Sequence, residues 1–327
     1  MQEPGRSLIN KCRSDLDEVR KEIAGIVVGQ DKTVKGLLRA LLANGHVLVE
    51  GIPGLAKTLL IRALSQSTGC RFKRIQFTPD LLPTDIVGIT SYEEDKGFFV
   101  IKGPIFSNFV LADEINRAPP KVQSALLEGM QERQATIGKE TFPMDEPFFV
   151  LATQNPIETL GTYTLPEAQI DRFLFKLMMD YPAKDEEMKI IEQNITIKSF
   201  EEYNIKPILS PKQIIEMQQL TKSIAHTDKI KEYIVDIVNS TRQPDKYGIK
   251  LGRYIELGSS PRASISLFIA AKADALLNGD AYIRPQNVKN IAFDVLRHRL
   301  ILNYTGQADE VKVEDIISEI LAKVPIP

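Results

Sequence analysis

The sequence has no tryptophan, only two cysteines and only three histidines in 327 residues. Cys12 and Cys70 lie far apart without a CxxC partner, and His46, His226 and His298 show no i,i+4 spacing. This scarcity argues against a disulfide framework and against a Cys/His metal centre, and leaves two buried or half-exposed thiols and three ordinary histidines. Net charge is lacking too: 41 Lys plus Arg against 43 Asp plus Glu leave −2. That balance gives no global electrostatic case for nucleic acid or an anionic membrane as partner, a local basic patch aside. No apolar run approaches the roughly 20 residues of a membrane helix. The most apolar zone, Leu37 to Leu60, is broken by Arg39, Asn44, His46, Glu50 and Lys57. The first residues, MQEPGRSLIN, lack the basic and apolar regions of a secretory signal. These absences predict a soluble protein of a reducing compartment, the cytoplasm.

Apolar residues make up 43% of the chain, enough to bury a full core, and the length suits roughly two domains of about 150 residues. In the first half, short apolar runs alternate with helical patterns. His46 to Glu50, Arg71 to Phe77, Phe109 to Ala112, Phe148 to Ala152 and Phe173 to Met178 read as five strands. Helices are expected from Thr58 to about Ser67 and from Pro120 to Glu132, where Ala118-Pro119-Pro120 supplies the proline-at-start signature. Alternation of this kind predicts a doubly wound, mostly parallel sheet. Two segments break it and read as hairpins that project from the sheet: Ile89–Glu93 with Phe98–Ile101 around Asp95-Lys96-Gly97, and Gln134–Ile137 with Glu140–Phe142 around Gly138-Lys139, a type II′ turn. After Tyr181-Pro182 the strand signals fade. Ser210-Pro211, Thr227-Asp228, Ser260-Pro261 and Arg284-Pro285 look like helix starts. The chain thus divides into residues 1–182 and a smaller all-helical domain, 183–327.

Gly51-Ile52-Pro53-Gly54-Leu55-Ala56-Lys57-Thr58 follows the first strand and opens the first of these helices. It fits the P-loop pattern G-x-x-x-x-G-K-[ST] except that Ala56 stands where the second glycine would be. Loop amides and a helix N-terminus suit phosphate oxygens, Lys57 would reach the β- and γ-phosphates, and the Thr58 hydroxyl would coordinate Mg²⁺. Alanine is tolerable at position 56 if φ is negative, so that position is expected to be helical already. Phe109-Val110-Leu111-Ala112 runs into Asp113-Glu114. Ligands of parallel sheets bind at the carboxyl ends of strands, which sets this pair beside the triphosphate, with Asp113 for Mg²⁺ and Glu114 for the attacking water. Asn155, at the end of the fourth strand, could orient that water or touch the γ-phosphate, although Asn-Pro alone is a turn signal.

These elements, together with Ala168-Gln169-Ile170-Asp171-Arg172-Phe173 and Ser259-Ser260-Pro261-Arg262-Ala263, resemble an AAA+ ATPase. Ala56 with Asp113-Glu114-Ile115-Asn116-Arg117-Ala118 is similar to the MoxR family in particular, over roughly residues 25 to 325. The resemblance implies an AAA+ core with a five-stranded sheet and an all-α lid, binding ATP and Mg²⁺ in a homo-oligomeric ring, a hexamer. It implies that Arg172 acts in trans on a neighbour's nucleotide and that Arg262 is the lid arginine that senses the γ-phosphate. Val27-Val28-Gly29-Gln30 resembles the segment that lines the adenine site. Arg117 is either a second trans arginine or a capping and packing residue. Phe98 and Phe99 are candidates for partner contact or for packing under their hairpin. A chaperone-like remodelling role on a protein client is implied, alongside proteins carrying a von Willebrand factor A domain. Two other functions compete. A nucleotide-gated scaffold without turnover is opposed by the presence of Glu114, Asn155 and Arg172 together. A DNA motor is opposed by the near-neutral charge, with Lys96, Lys102 and Lys139 too few on the hairpins to decide.

Overall fold

A computed structural model describes residues 5–52, 54–95, 97–155, 161–193 and 200–327. Helices α1 (Arg6–Ala24) and α2 (Asp31–Leu42) precede strand β1 (Val47–Gly51), helix α3 (Lys57–Ser67) and strand β2 (Phe72–Gln76). A short helix α4 (Pro83–Val87) leads into the hairpin β3 (Gly88–Glu93) and β4 (Gly97–Lys102), then β5 (Phe109–Asp113) and α5 (Pro120–Glu132). The second hairpin, β6 (Gln134–Ile137) with β7 (Glu140–Pro143), comes before β8 (Phe149–Gln154), α6 (Glu167–Ile170) and β9 (Phe175–Met179). There follow α7 (Lys184–Gln193), α8 (Pro211–Ser223), α9 (Asp228–Arg242), β10 (Ile255–Leu257), α10 (Pro261–Asn278), α11 (Pro285–Leu296), β11 (Ile301–Leu302), α12 (Tyr304–Ala308) and α13 (Val313–Lys323).

The five expected strands form one sheet in the order β2-β5-β8-β1-β9, and every pairing in it is parallel. Both hairpins stand apart as two-stranded antiparallel sheets. Lys96, in the first expected turn, lies outside the described residues. In the second, Gly138 takes φ +62° while Lys139 does not enter positive φ, as a type II′ turn requires.

Strand residues alternate between two cores, as the two-residue period dictates. Val47, Val49, Phe109, Leu111, Phe149, Leu151, Phe175 and Leu177 face α1, α2, α3 and the C-terminal helices. Leu48, Val110, Ala112, Val150 and Ala152 face α5 and its neighbours. The first cluster runs without a break from Ile9 to Val324, so residues 183–327 share their core with the strand-bearing part of the chain. A short antiparallel pair, β10 with β11, interrupts the helical region. Its helices start where the residue types demand. Ser210 Oγ accepts the Gln213 N–H at 3.4 Å while the Ser210 N–H donates to Gln213 Oε1 at 3.0 Å, a reciprocal cap. Helix α1 is a gain over the sequence reading. Its buried residues Ile9, Cys12, Leu16, Val19 and Ile23 follow alternating steps of three and four, the signature that identifies it. Cys12 and Cys70 are both buried free thiols. Among the described residues no helix is long and apolar enough to cross a membrane.

His46, just before β1, is buried in this frame. Its Nδ1 accepts the Val150 N–H at 3.1 Å, its Nε2 lies 3.2 Å from the Met130 carbonyl, and its edge meets Phe148. Burial, with Arg133 nearby, lowers its pKa from 6.5 to about 3. The unfolded chain therefore takes up a proton below pH 6.5 that the folded chain refuses until about pH 3. Stability from this group is complete above pH 6.5 and is lost as pH falls from there, by about 1.4 kcal/mol per unit. His298, half-buried with Nε2 3.2 Å from the Phe173 carbonyl, is shifted the same way. Urea unfolding between pH 7.5 and 5 should show this slope, reduced by one proton's worth in His46→Asn; an unchanged slope would acquit His46.

Candidate nucleotide site

Strand β1 delivers the chain into the loop at Gly51, where β9 approaches so closely that a Cβ would meet Met179 at 2.9 Å. Gly54 takes φ +87°, a conformation for which glycine is suited, and faces open space. Pro53 lies outside the described residues, while Ile52 and Leu55 pack toward the first core. Ala56 departs from the expected negative φ. It caps α3 with φ +56° and ψ +27°, the left-handed region. A β-carbon there costs about 1–2 kcal/mol, so alanine is accommodated under strain and not by being helical. Lys57 opens α3 and Thr58 sits in its first turn.

Half-buried, Lys57 donates from Nζ to the Gly51 carbonyl. Burial lowers its pKa, and the carboxylates of Asp113, Glu114 and Glu50 oppose that shift. An ammonium held by a neutral carbonyl in a partly dry loop fits an anionic ligand. Strands β1 and β5 are separated only by β8, so these carboxylates share one end of the sheet with the loop. Thr153 on β8 fixes them. Its hydroxyl donates to Asp113 Oδ1 at 2.7 Å and accepts the Glu114 N–H at 2.8 Å. Glu114 is left-handed (φ +57°), and its Oε2 accepts Gln76 Nε2 at 2.8 Å and pairs with Arg117 Nε at 3.1 Å. Arg117 is thus engaged within its own chain. Asp113 Oδ2 accepts both Arg74 Nε at 3.0 Å and Arg74 Nη2 at 2.7 Å. A carboxylate and a hydroxyl, Asp113 and Thr58, are the hard oxygen donors that suit Mg²⁺. Asn155 directly follows β8 and is buried. Beside the loop, a cavity of about 260 Å³ is lined by Val27, Val28, Leu55 and Leu59, with Ile190 and Tyr203 from the C-terminal part.

Arg172 and Arg262 are elsewhere. Arg172 precedes β9, which runs parallel to β1 with Val47 opposite Phe175. It therefore stands at the amino end of the sheet, a full strand, roughly 15 Å, from the loop at the carboxyl end. Arg262 Nη1 pairs with Asp171 Oδ2 at 3.3 Å, and both arginines line a cavity of about 290 Å³ with Asn44, Arg133 and Arg299. The first turn of α10 disfavours a cation, and the Asp171 carboxylate supplies the compensating anion. Asp171 does not pair with Arg172 among the described residues. Its Oδ1 accepts instead from Arg299 Nε at 2.6 Å.

Residues 46–175 match the ATPase family associated with various cellular activities (AAA), and residues 252–320 match the AAA lid domain. The chain is 46% identical over 315 residues to a protein named Chaperone MoxR1 of Mycobacterium tuberculosis, covering 95% of this chain and 82% of that one. It is 31% identical to Protein MoxR of Paracoccus denitrificans, over 98% and 99% of the two chains. A solved structure from Cytophaga hutchinsonii, 44% identical, matches with a TM-score of 0.90 over 98% of this chain and 97% of that one. The chain belongs to the MoxR family of AAA+ ATPases.

In this MoxR-family chain the sequence motifs of the loop and the acidic pair meet at one end of the sheet, while the residues that hold them there carry no sequence signal. Thr153 lies just past the fourth expected strand, Phe148 to Ala152, and nothing beside it in sequence marks it as a partner of Asp113. Arg74 and Gln76 sit on β2, and nothing in that segment of the sequence says which strand lies beside it or that Asp113 is within their reach. Ile190 and Tyr203 come from beyond the expected boundary at residue 182. Arg299 escapes notice because its side chain is 2% exposed, a place where arginine is rare without a partner.

The strain at Ala56 is testable. Ala56→Gly should raise the unfolding free energy by about 0.5–1 kcal/mol, the left-handed penalty less the extra freedom of an unfolded glycine. Urea denaturation measures it, and a loss of stability would contradict a left-handed residue at this position.

Proposed function

We propose that this chain is a Mg²⁺-dependent ATPase that works as a ring, a hexamer, and uses hydrolysis in chaperone-like remodelling of a protein client. One observation carries the proposal: the phosphate-binding loop and the acidic pair occupy one end of the sheet, and the two arginines occupy the other. In a single copy Arg172 is too distant from its own loop to act there. In a ring, the amino end of one subunit's β9 can meet the carboxyl ends of its neighbour's strands, and each site is completed by a second chain.

The roles follow from the chemistry. Loop amides and Lys57 bind the phosphates, and the apolar cavity at Val27 and Val28 takes the base. Thr58 and Asp113 would hold Mg²⁺, which when bound draws charge from the phosphate oxygens. Glu114 polarises the attacking water, and the Asn155 amide orients it. Arg172 from the neighbour stabilises charge on the transferring phosphoryl group, a task for which a planar guanidinium is suited. Arg262 lines the same cavity as Arg172, so we assign it to the same trans interface. The DNA-motor reading loses ground, because Lys102 is already seated over the rings of Phe106 and Phe142. Phe98, 80% exposed with its ring tilted against Tyr92, is the more natural client contact, while Phe99 is half-buried.

Glu114→Gln should retain ATP while phosphate release falls by at least about 10²-fold, the usual contribution of a general base. Unchanged release would remove Glu114 from the chemistry. The trans assignment has its own check. Lys57→Ala and Arg172→Ala should each be inactive alone, and mixing them should restore part of the ATPase rate. A mixture as inactive as its components would refute it.

A further inference from the structure

Arg74 has no place in the chemistry above, yet it pairs directly with the carboxylate assigned to the metal. It lies on β2, the edge strand of the sheet, paired in register with Leu111 of β5. From there Nε and Nη2 both reach Asp113 Oδ2, at 3.0 and 2.7 Å, while Thr153 takes Oδ1 at 2.7 Å. Both Asp113 oxygens are therefore engaged by protein donors. Nη2 also donates to Gln76 Oε1 at 2.5 Å, which fixes the guanidinium plane against the carboxylate. The pair is unequal in burial: Arg74 is 47% exposed and Asp113 15%. An edge-strand side chain so exposed can swing into water without opening the core. Asp113, held by Thr153, cannot follow it.

We propose that Arg74 is a positioning residue whose guanidinium stands in for the divalent cation on Asp113 until the metal displaces it. The proposal rests on the reading that Asp113 holds Mg²⁺. Carboxylate and guanidinium neutralise each other in the metal-free chain, so Asp113 keeps its orientation without a bare charge beside Lys57 and Glu114. Metal binding at Oδ2 breaks both Arg74 bonds and moves a positive charge out of the site, so Arg74 raises the Mg²⁺ concentration at which the site fills.

The test is a Mg²⁺ titration of the full-length chain with a fluorescent ADP analogue, comparing the parent with Arg74→Met and Arg74→Lys. The half-saturating Mg²⁺ concentration should fall roughly three- to tenfold in Arg74→Met, the scale of removing one partly screened charge beside a divalent ion. Affinity for the metal-free analogue should stay within about twofold. Arg74→Lys, which keeps a cation but not both bonds, should lie nearer the parent. An unchanged or raised Mg²⁺ requirement in Arg74→Met overturns the proposal. So does a Lys variant that falls as far as Met, or a Met variant that loses metal-free binding. If the parent binds the analogue without regard to Mg²⁺, the assignment of metal to Asp113 fails first, and the role of Arg74 falls with it.

Discussion

In a parallel sheet every strand ends on the same side, so residues that follow separate strands are delivered to one place without having to attract one another. Here Gly51, Asp113 and Gln154 end β1, β5 and β8, and the next residue or loop in each case belongs to the candidate site. Polarity has a second consequence that is as strict. A residue just before a strand is excluded from that place by the length of the strand itself. Arg172 is thereby set at the opposite end, and Arg262, paired with Asp171, lines the same cavity there.

The arginine end is held by its own buried chemistry. Arg299 is almost fully enclosed, and it donates to Asp171 Oδ1 and to the carbonyls of Phe173, Leu174 and Val295. Arg262 takes the other oxygen of Asp171. One carboxylate thus joins the start of α10, the turn after α11 and the loop that carries Arg172. On the other side of the helical region, Arg39 of α2 stands 2.6 Å from the fully buried Asp274 of α10, whose Oδ2 accepts amides from Asn278, Asn287 and Asn290. Burying such pairs gives little net stability, but leaving either partner alone in the interior costs several kcal/mol. Their effect is to fix where the helices sit on α2 and on the Arg172 loop.

Much of this was legible in the residues because the signals were short-range. Five strands, two hairpins and the starts of α8 to α11 are announced by apolar runs, Asp-Lys-Gly and Gly-Lys turns, and Ser-Pro, Thr-Asp and Arg-Pro pairs, each a matter of a few adjacent residues. The P-loop and the acidic pair are likewise contiguous. What escaped is long-range or conformational. Thr153 meets Asp113 across 40 positions, and Arg299 meets Asp171 across 128. No local pattern encodes such pairs, since any polar residue on a strand edge or helix end looks alike in sequence. Ala56 escaped for another reason. Its residue type argues for negative φ, and tertiary geometry overrode that preference.

Ala56 and Glu114 belong together in this respect. Both are non-glycine residues in the left-handed region, and both stand directly before a helical turn, Glu114 at the end of β5 and Ala56 at the end of the loop after β1. Left-handed backbone at such residues persists only where the surroundings over-determine it. Around Glu114 they do. Its N–H is tied to Thr153, and its carboxylate is tied to Gln76 and Arg117. The turn sends the chain sharply away from β5 and leaves the carboxylate beside Asp113 instead of further along the strand axis. At Ala56 the same conformation turns the loop into α3, so that Lys57 begins the helix directly behind the strand end. A relaxed backbone at either position would carry the chain onward, and the acidic pair or the ammonium would leave the place where the strands converge. The strain is what bends two loops toward one point.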